Sequence, residues 1–436
     1  MENVKGLLEF IKQSPSQFHV IHNIKELLNE HGYTELHEEE NWKVVPGKQY
    51  YVIRNNSSII AFNLGNDLSD YSFNVVASHS DSPTFKLKEN YEINVNNEYT
   101  KLNTEGYGGM ICSTWFDKPL SIAGRILVKE GNSYKTKLVN IDKDLLMIPS
   151  VAIHMNREVN EGYKFNKQID LLPLVGGSDY KENDLLNLIA NSTNSKTENI
   201  LGLDLFLYNR QDYSIWGMND EYISSRCLDD LECAYTSLIA FLNASNNQSI
   251  NVCAVFDNEE VGSGTKQGAV STLLYDALSR LNDALGKSKE DYHKAIASSF
   301  LLSSDNAHAV HPNHTELTDA TNNTYMNKGV VVKSHASQKY CSDAISVGIL
   351  KGIAQEVNVP LQYFSNRSDK AGGSTLGNLA MSQVSMNAVD IGLPQLAMHS
   401  SYETAGVKDV DYMITLLKAF YSHHIHQNGA GNYTID

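Results

Sequence analysis

From Val4 to about His31, apolar residues recur at helical spacing (Leu7, Leu8, Phe10, Ile11, then Val20, Ile21, Ile24, Leu27, Leu28) and are interrupted at Ser14-Pro15-Ser16. The spacing predicts two amphipathic helices joined by a turn. Short runs rich in β-branched and aromatic residues follow: Tyr51-Val52-Ile53-Arg54, Ser58-Ile59-Ile60-Ala61-Phe62, and Phe73-Asn74-Val75-Val76-Ala77-Ser78, which runs into His79. These predict strands. Between about Glu89 and Gly217 the texture changes to short alternating segments with many Asn, Tyr and Gly residues, as in Ser121-Ile122-Ala123-Gly124-Arg125-Ile126-Leu127-Val128. That middle third reads as a separate β-rich insertion.

After Tyr222, strand and helix patterns alternate. A helix is predicted from Asp230 to about Leu242, a strand at Val252–Phe256, a helix from near Thr272 to Leu281, and a strand at Phe300–Ser304. Such alternation is the mark of an α/β layer structure. The expected organisation is a catalytic domain in two parts, residues 1–88 and 218–436, interrupted by the insertion at 89–217. Ligands in α/β folds gather beyond the carboxyl ends of strands, and His79, Glu259, Glu260 and Asp305 all fall there.

Size agrees with this division, because 436 residues exceed what one core usually holds. A formal net charge of -16 argues against a protein that grips nucleic acid phosphates or an anionic membrane. The amino terminus carries acidic residues where an export signal needs a basic start, and no stretch reaches the roughly 20 apolar residues that span a bilayer. A soluble, cytoplasmic protein is therefore expected. The five cysteines include no Cys-x-x-Cys pair, so reduced, mostly buried thiols are expected rather than a disulfide framework.

The most informative stretch is Asp257-Asn258-Glu259-Glu260-Val261-Gly262-Ser263, where two adjacent carboxylates follow an apolar strand. One carboxylate can bind a divalent cation while its neighbour, left off the metal, accepts a proton from water. A charged turn after a buried strand is the plainer reading of this segment taken alone. His79-Ser80-Asp81 sets an imidazole and a carboxylate two apart at a strand end, so His79 could bind metal with Asp81 steadying it from behind. Asp229-Asp230 stands at a predicted helix start, where capping competes with metal bridging. Asp305, His308 and His311 are three possible ligands after a strand, and His399 ends another short apolar segment. Rival chemistries lack anchors: there is no phosphate-loop pattern, no Gly-x-Ser-x-Gly and no His-Glu-x-x-His.

Together these segments resemble the aspartyl aminopeptidase family, a branch of the co-catalytic dizinc exopeptidases. The likeness runs from Phe10–His19 through Ser78–Pro83, Trp115–Leu120, Ile153–Arg157, Phe165–Gln168, Leu228–Asp230, Asp257–Ser263 and Ser304–Asn313 to Gln395–Ser400. The resemblance implies an α/β mixed-sheet, three-layer catalytic domain of the dizinc exopeptidase type, with an inserted β-rich dimerisation and lid domain. It implies two zinc ions per subunit, one held by His79, Asp229 and Asp305 and the other by Asp229, Glu260 and His399. Cobalt or manganese would suit the same nitrogen and oxygen donors. Glu259 would be the base, and a water activated between the ions would attack the first peptide carbonyl. A cis peptide is implied between Asp229 and Asp230, the latter standing where Asn is expected in many relatives.

By the same resemblance, His154 matches a histidine that reaches a neighbouring subunit's active site, and Lys333 matches the lysine that receives an acidic first side chain. His335 stands where a small polar residue is expected, which bears on that preference. The expected protein is an aminopeptidase acting on short peptides with amino-terminal Asp or Glu, built as a homo-oligomer of dimers assembled into a dodecamer. Two other readings stand beside it: a related dimetal aminopeptidase or amidohydrolase with neutral or basic preference, and a non-catalytic, metal-stabilised assembly protein.

Overall fold

The computed structural model describes residues 1–436. Its centre is a nine-stranded mixed sheet in the order Thr34–Leu36, Gln49–Arg54, Ser58–Leu64, Ile250–Phe256, Phe73–His79, Phe300–Ser304, Asn387–Gly392, Val330–Lys333, Leu361–Phe364. The four strands from Ile250–Phe256 to Asn387–Gly392 are mutually parallel. They are covered on both faces, which is why they read as nearly unbroken apolar runs rather than as alternating ones.

Alternate side chains of these strands point to opposite layers. Val76, Cys253, Val255, Leu302 and Val389 pack with the helices Glu2–Gln13, Gln17–Glu30, Leu228–Leu242, Ala344–Glu356 and Val407–Ser422. Val75, Ala77, Val252, Ala254 and Leu301 pack with Leu273–Ala284, Lys289–Ser298 and Leu376–Met381 on the other side. The result is a three-layer α/β unit with the expected mixed sheet. The two amino-terminal helices break at Ser14-Pro15-Ser16, as their spacing predicts.

A second, antiparallel sheet of six strands runs Ser133–Asn140, Leu120–Glu130, Ile200–Asn209, Thr84–Val95, Tyr99–Tyr107, Leu174–Gly176. It has its own core, including Phe85, Leu102, Trp115, Ile122 and Leu205. All its strands lie within residues 84–209. The strand Ser214–Trp216 instead pairs with Tyr222–Ser225 in a third, five-stranded sheet that also carries Pro394–Leu396 and Glu403–Gly406.

The segment around His154 differs from its strand-like sequence. Residues 148–173 contain a short 3-10 turn at Arg157–Asn160 and no strand. Val151, Ile153 and Met155 are exposed, with no face of this chain to pack against, so their alternation has nothing to stabilise.

Candidate metal centre

The parallel strands deliver their carboxyl ends to one spot. His79 closes Phe73–His79 and is buried. Its Nδ1 lies 3.0 Å from the Asp81 carbonyl oxygen and 3.4 Å from the Asp81 carboxylate. Donation from Nδ1 leaves Nε2 free to face the cluster, the usual way a partner sets the tautomer of a metal-binding histidine. That Nε2 stands 3.6 Å from Asp229 Oδ1 and 4.0 Å from Asp230 Oδ2.

Asp229 and Asp230 open the helix Leu228–Leu242, but neither has helical backbone angles, and the peptide between them is cis. Neither carboxylate acts as the cap expected from the helix start. Asp230 Oδ2 accepts the backbone N–H of His79 at 3.0 Å, and Asp229 faces two imidazoles. His399 follows the strand Pro394–Leu396 in a left-handed turn at φ 67°. Its Nε2 is 3.4 Å from Asp229 Oδ2 and 3.4 Å from Glu260 Oε2.

The paired glutamates sit on a 3-10 turn, Glu259–Val261, beyond the end of Ile250–Phe256. Asp81 receives both of their backbone N–H groups, each at 3.1 Å, one on each carboxylate oxygen. Its place is therefore behind both His79 and the glutamate turn. Ligand-type atoms meet within 4.8 Å in three sets: His79, Asp229, Asp230 and Asp305; His79, Glu259 and Glu260; and Asp229, Glu260 and His399. Asp229 is common to the first and last. Of the three candidates after Phe300–Ser304, only Asp305 joins a set; His308 and His311 do not.

The electrostatics of this cluster suit a bound cation. Burial, joined by neighbouring carboxylates, pushes the Asp230 and Glu260 carboxyls well above their ordinary range and Glu259 up to about 8. Burial also opposes ionisation of Asp229, yet the His399 and His79 hydrogen bonds hold its carboxyl well below the usual value. One oxygen each of Asp229, Asp230 and Glu260 is buried with no hydrogen-bond partner. Buried carboxylates with idle lone pairs cost several kcal/mol unless paired or bound to a metal, on the order of the penalties for buried charge. Imidazole nitrogen and carboxylate oxygen together are a donor set that zinc accepts.

The other expected residues are placed as follows. Lys333 ends the strand Val330–Lys333 and is buried rather than reaching to solvent; its Nζ donates to the Asn306 carbonyl at 3.0 Å and lies 3.6 Å from Asp305. Burial works against its charge, but Asp305, Tyr340 and Asp390 outweigh it and raise the ammonium's pKa. His154 is exposed and makes no approach to the cluster within the chain.

Two residues escaped sequence reasoning. Glu403, fully inside the fold, accepts the backbone N–H of Asp229 at 3.0 Å and of His399 at 2.7 Å, so one carboxylate fixes two members of the cluster. Tyr107 donates to Asp81 Oδ2 at 2.7 Å from a strand of the second sheet. The only available signal for Glu403 was an acidic residue four places after His399; for Tyr107 there was none.

The chain matches the model of the aminopeptidase I zinc metalloprotease family, M18, over residues 10–421. It belongs to the M18 family. It is 45% identical to a probable M18 family aminopeptidase 2 of Clostridium acetobutylicum, over 97% of this chain and 99% of that one. It is 36% identical to aspartyl aminopeptidase 1 of Schizosaccharomyces pombe, over 95% of this chain and 93% of that one. Among solved structures, the mApe1 dodecamer of S. cerevisiae superposes with a TM-score of 0.83 at 26% identity, covering 96% of this chain and 95% of that one. The M18 protein is thus a zinc metallo-aminopeptidase, a hydrolase of the exopeptidase type, and the buried cluster is where its chain can hold metal.

Proposed function

We propose that this M18 aminopeptidase removes amino-terminal Asp or Glu from short peptides, using two zinc ions held by His79, Asp229 and Asp305 and by Asp229, Glu260 and His399. The observation that carries the reading is Asp229, whose two oxygens face His79 and His399 separately, at 3.6 and 3.4 Å, as a bridging carboxylate would. Zinc bound there supplies Lewis acidity, lowering the pKa of a water and taking up charge on the developing oxyanion. Glu259 takes the proton from the attacking water and returns it to the departing amine nitrogen. Burial first, and then neighbouring carboxylates, raise its pKa, the direction that favours a group able to hold a proton. Asp81 orients His79 and the glutamate turn.

The acidic preference rests on Lys333, the buried ammonium beside Asp305, and on the likeness to a relative named aspartyl aminopeptidase. In this reading residues 89–217 form the dimerisation and lid domain, and His154 completes the active site of a neighbouring subunit. The exposed Val151, Ile153 and Met155, close together in sequence, support a covered face there, since clustered exposed apolar residues mark contact surfaces. A homo-oligomer of the size seen in the dodecameric neighbour accommodates both features. No helix of the chain is long and apolar enough to cross a membrane.

Hydrolysis rates on aspartyl, glutamyl, leucyl and lysyl reporter substrates test the preference. Aspartyl or glutamyl should lead, and Lys333→Met should erase that lead by about tenfold or more, equivalent to about 1.4 kcal/mol of transition-state discrimination. A clear preference for leucyl or lysyl in the parent enzyme defeats the acidic reading while leaving the metal centre standing.

A further inference from the structure

We propose that Tyr107, on the six-stranded sheet, is a positioning residue for catalysis: its phenol is the strut that holds the Glu259–Glu260 turn in register with the rest of the metal centre. The inference rests on the reading of Glu259 and Glu260 given above.

The turn has backbone hydrogen bonds of its own, with the Ser263 N–H on the Asn258 carbonyl at 2.7 Å and the Gly262 N–H on the Glu259 carbonyl at 2.9 Å, and its side-chain anchors come from outside it. Asn258, Gly262 and Ser263 all have left-handed backbone angles, at φ 63°, 93° and 58°. Such angles are unfavourable for non-glycine residues and persist where surrounding contacts impose them. Two side chains that brace the turn, Asp81 and Asn258, meet at one oxygen. The Tyr107 hydroxyl donates to Asp81 Oδ2 at 2.7 Å and accepts from Asn258 Nδ2 at 2.8 Å. Asp81 holds the backbone N–H groups of Glu259 and Glu260, while Asn258 Oδ1 receives Thr265 Oγ1 at 2.7 Å and Gln267 Nε2 at 2.8 Å. Both anchors of the turn therefore meet at the phenol.

The residues after Tyr107 extend the same contact. A side chain at Gly108, whose φ is +77°, would meet the Glu260 Cβ at 3.2 Å. The Gly109 carbonyl lies 3.0 Å from His399 Nδ1. One short segment of the second sheet thus touches Asp81, Glu260 and His399. The seating of that sheet sets the geometry of groups delivered by the first. Phe206, from the same second sheet, packs edge-on to the Tyr107 ring at 5.5 Å and fixes where the hydroxyl points.

The experiment compares kcat, KM and zinc content of the assembled holoenzyme for the parent, Tyr107→Phe, Asn258→Gly, the double variant, and Glu259→Gln as reference. Glycine at position 258 tolerates the left-handed backbone while removing the amide. Each single variant should lower kcat about tenfold or more, with KM within about threefold and zinc retained, the pattern of a lost transition-state geometry rather than lost binding. The double variant should fall little further than either single one, because both act through one strut. A Tyr107→Phe enzyme with parental kcat, or one whose loss lies in KM alone, overturns the proposal. If Glu259→Gln is inactive in the same series, the site reading survives that failure; if it stays active, the site reading itself has failed. Should Tyr107→Phe not assemble, Asn258→Gly decides, and parental kcat there is equally fatal.

Discussion

Replacing Glu403 by alanine perturbs the metal centre without touching any group assigned to it. In the parent, the two carboxylate oxygens accept the N–H of Asp229 at 3.0 Å, inside the fold, and of His399 at 2.7 Å, in a half-buried position. Leaving the buried Asp229 N–H without an acceptor costs about 1–3 kcal/mol, and the half-buried His399 N–H adds less than that. Part of that falls on the fold and part on the placement of Asp229 and His399. Loss of such outer support commonly lowers metal affinity by about 10- to 100-fold. Competition between the apo enzyme and a chelator of known affinity reads the zinc dissociation constant directly. Melting with and without zinc reads the remainder, because a ligand that binds only the folded state raises Tm. Glu403→Gln keeps one acceptor oxygen and should lie between parent and alanine. An alanine variant with parental zinc affinity and unchanged melting would refute the assignment of Glu403 as the common support.

Other outcomes follow from the same geometry. Glu259→Gln should retain the parent's zinc content while losing about 10²- to 10⁴-fold in kcat, the usual yield of a positioned base; metal analysis and kinetics on one preparation check both halves. His154→Ala should lower catalysis without emptying the metal sites, and equal activity in variant and parent would remove it from the mechanism. His19, buried with its Nδ1 2.8 Å from Ser16 Oγ, has its pKa pushed down to about 4, chiefly by burial, with His22 and Arg226 adding to it. The folded state favours the neutral ring, so this stability is complete above pH 6.5 and is lost as pH falls toward 4. Denaturant unfolding should show about 3 kcal/mol of decline across that window. A His19→Gln variant should lack that component of the slope.

Much of the site could be read in the sequence because strand ends are local features. His79 and Asp305 each stand at the end of a mostly apolar run closed by serine, and runs buried on both faces end abruptly where the chain leaves the sheet. Glu259 and Glu260 were visible for the same reason. The start of the helix at Leu228 was harder, because periodicity places Asp230 in the helix while its backbone is non-helical and its carboxylate serves His79 instead. Around His154 three spaced apolar residues imitate an alternating strand pattern with nothing in this chain to cover them, and no strand forms. Glu403 and Tyr107 were beyond reach. Their roles depend on which backbone N–H groups and carboxylates the tertiary fold presents to them across 174 residues and 26 residues respectively. No local pattern records that.

Diffraction at the zinc absorption edge from crystals of the zinc-loaded enzyme tests the central claim most directly. The predicted result is two anomalous peaks sharing Asp229, one bounded by His79 Nε2 and Asp305 and the other by Glu260 and His399 Nε2, each about 2.0–2.2 Å from its ligands. A single peak that Asp229 does not touch, or a cluster that takes up no zinc, would contradict it.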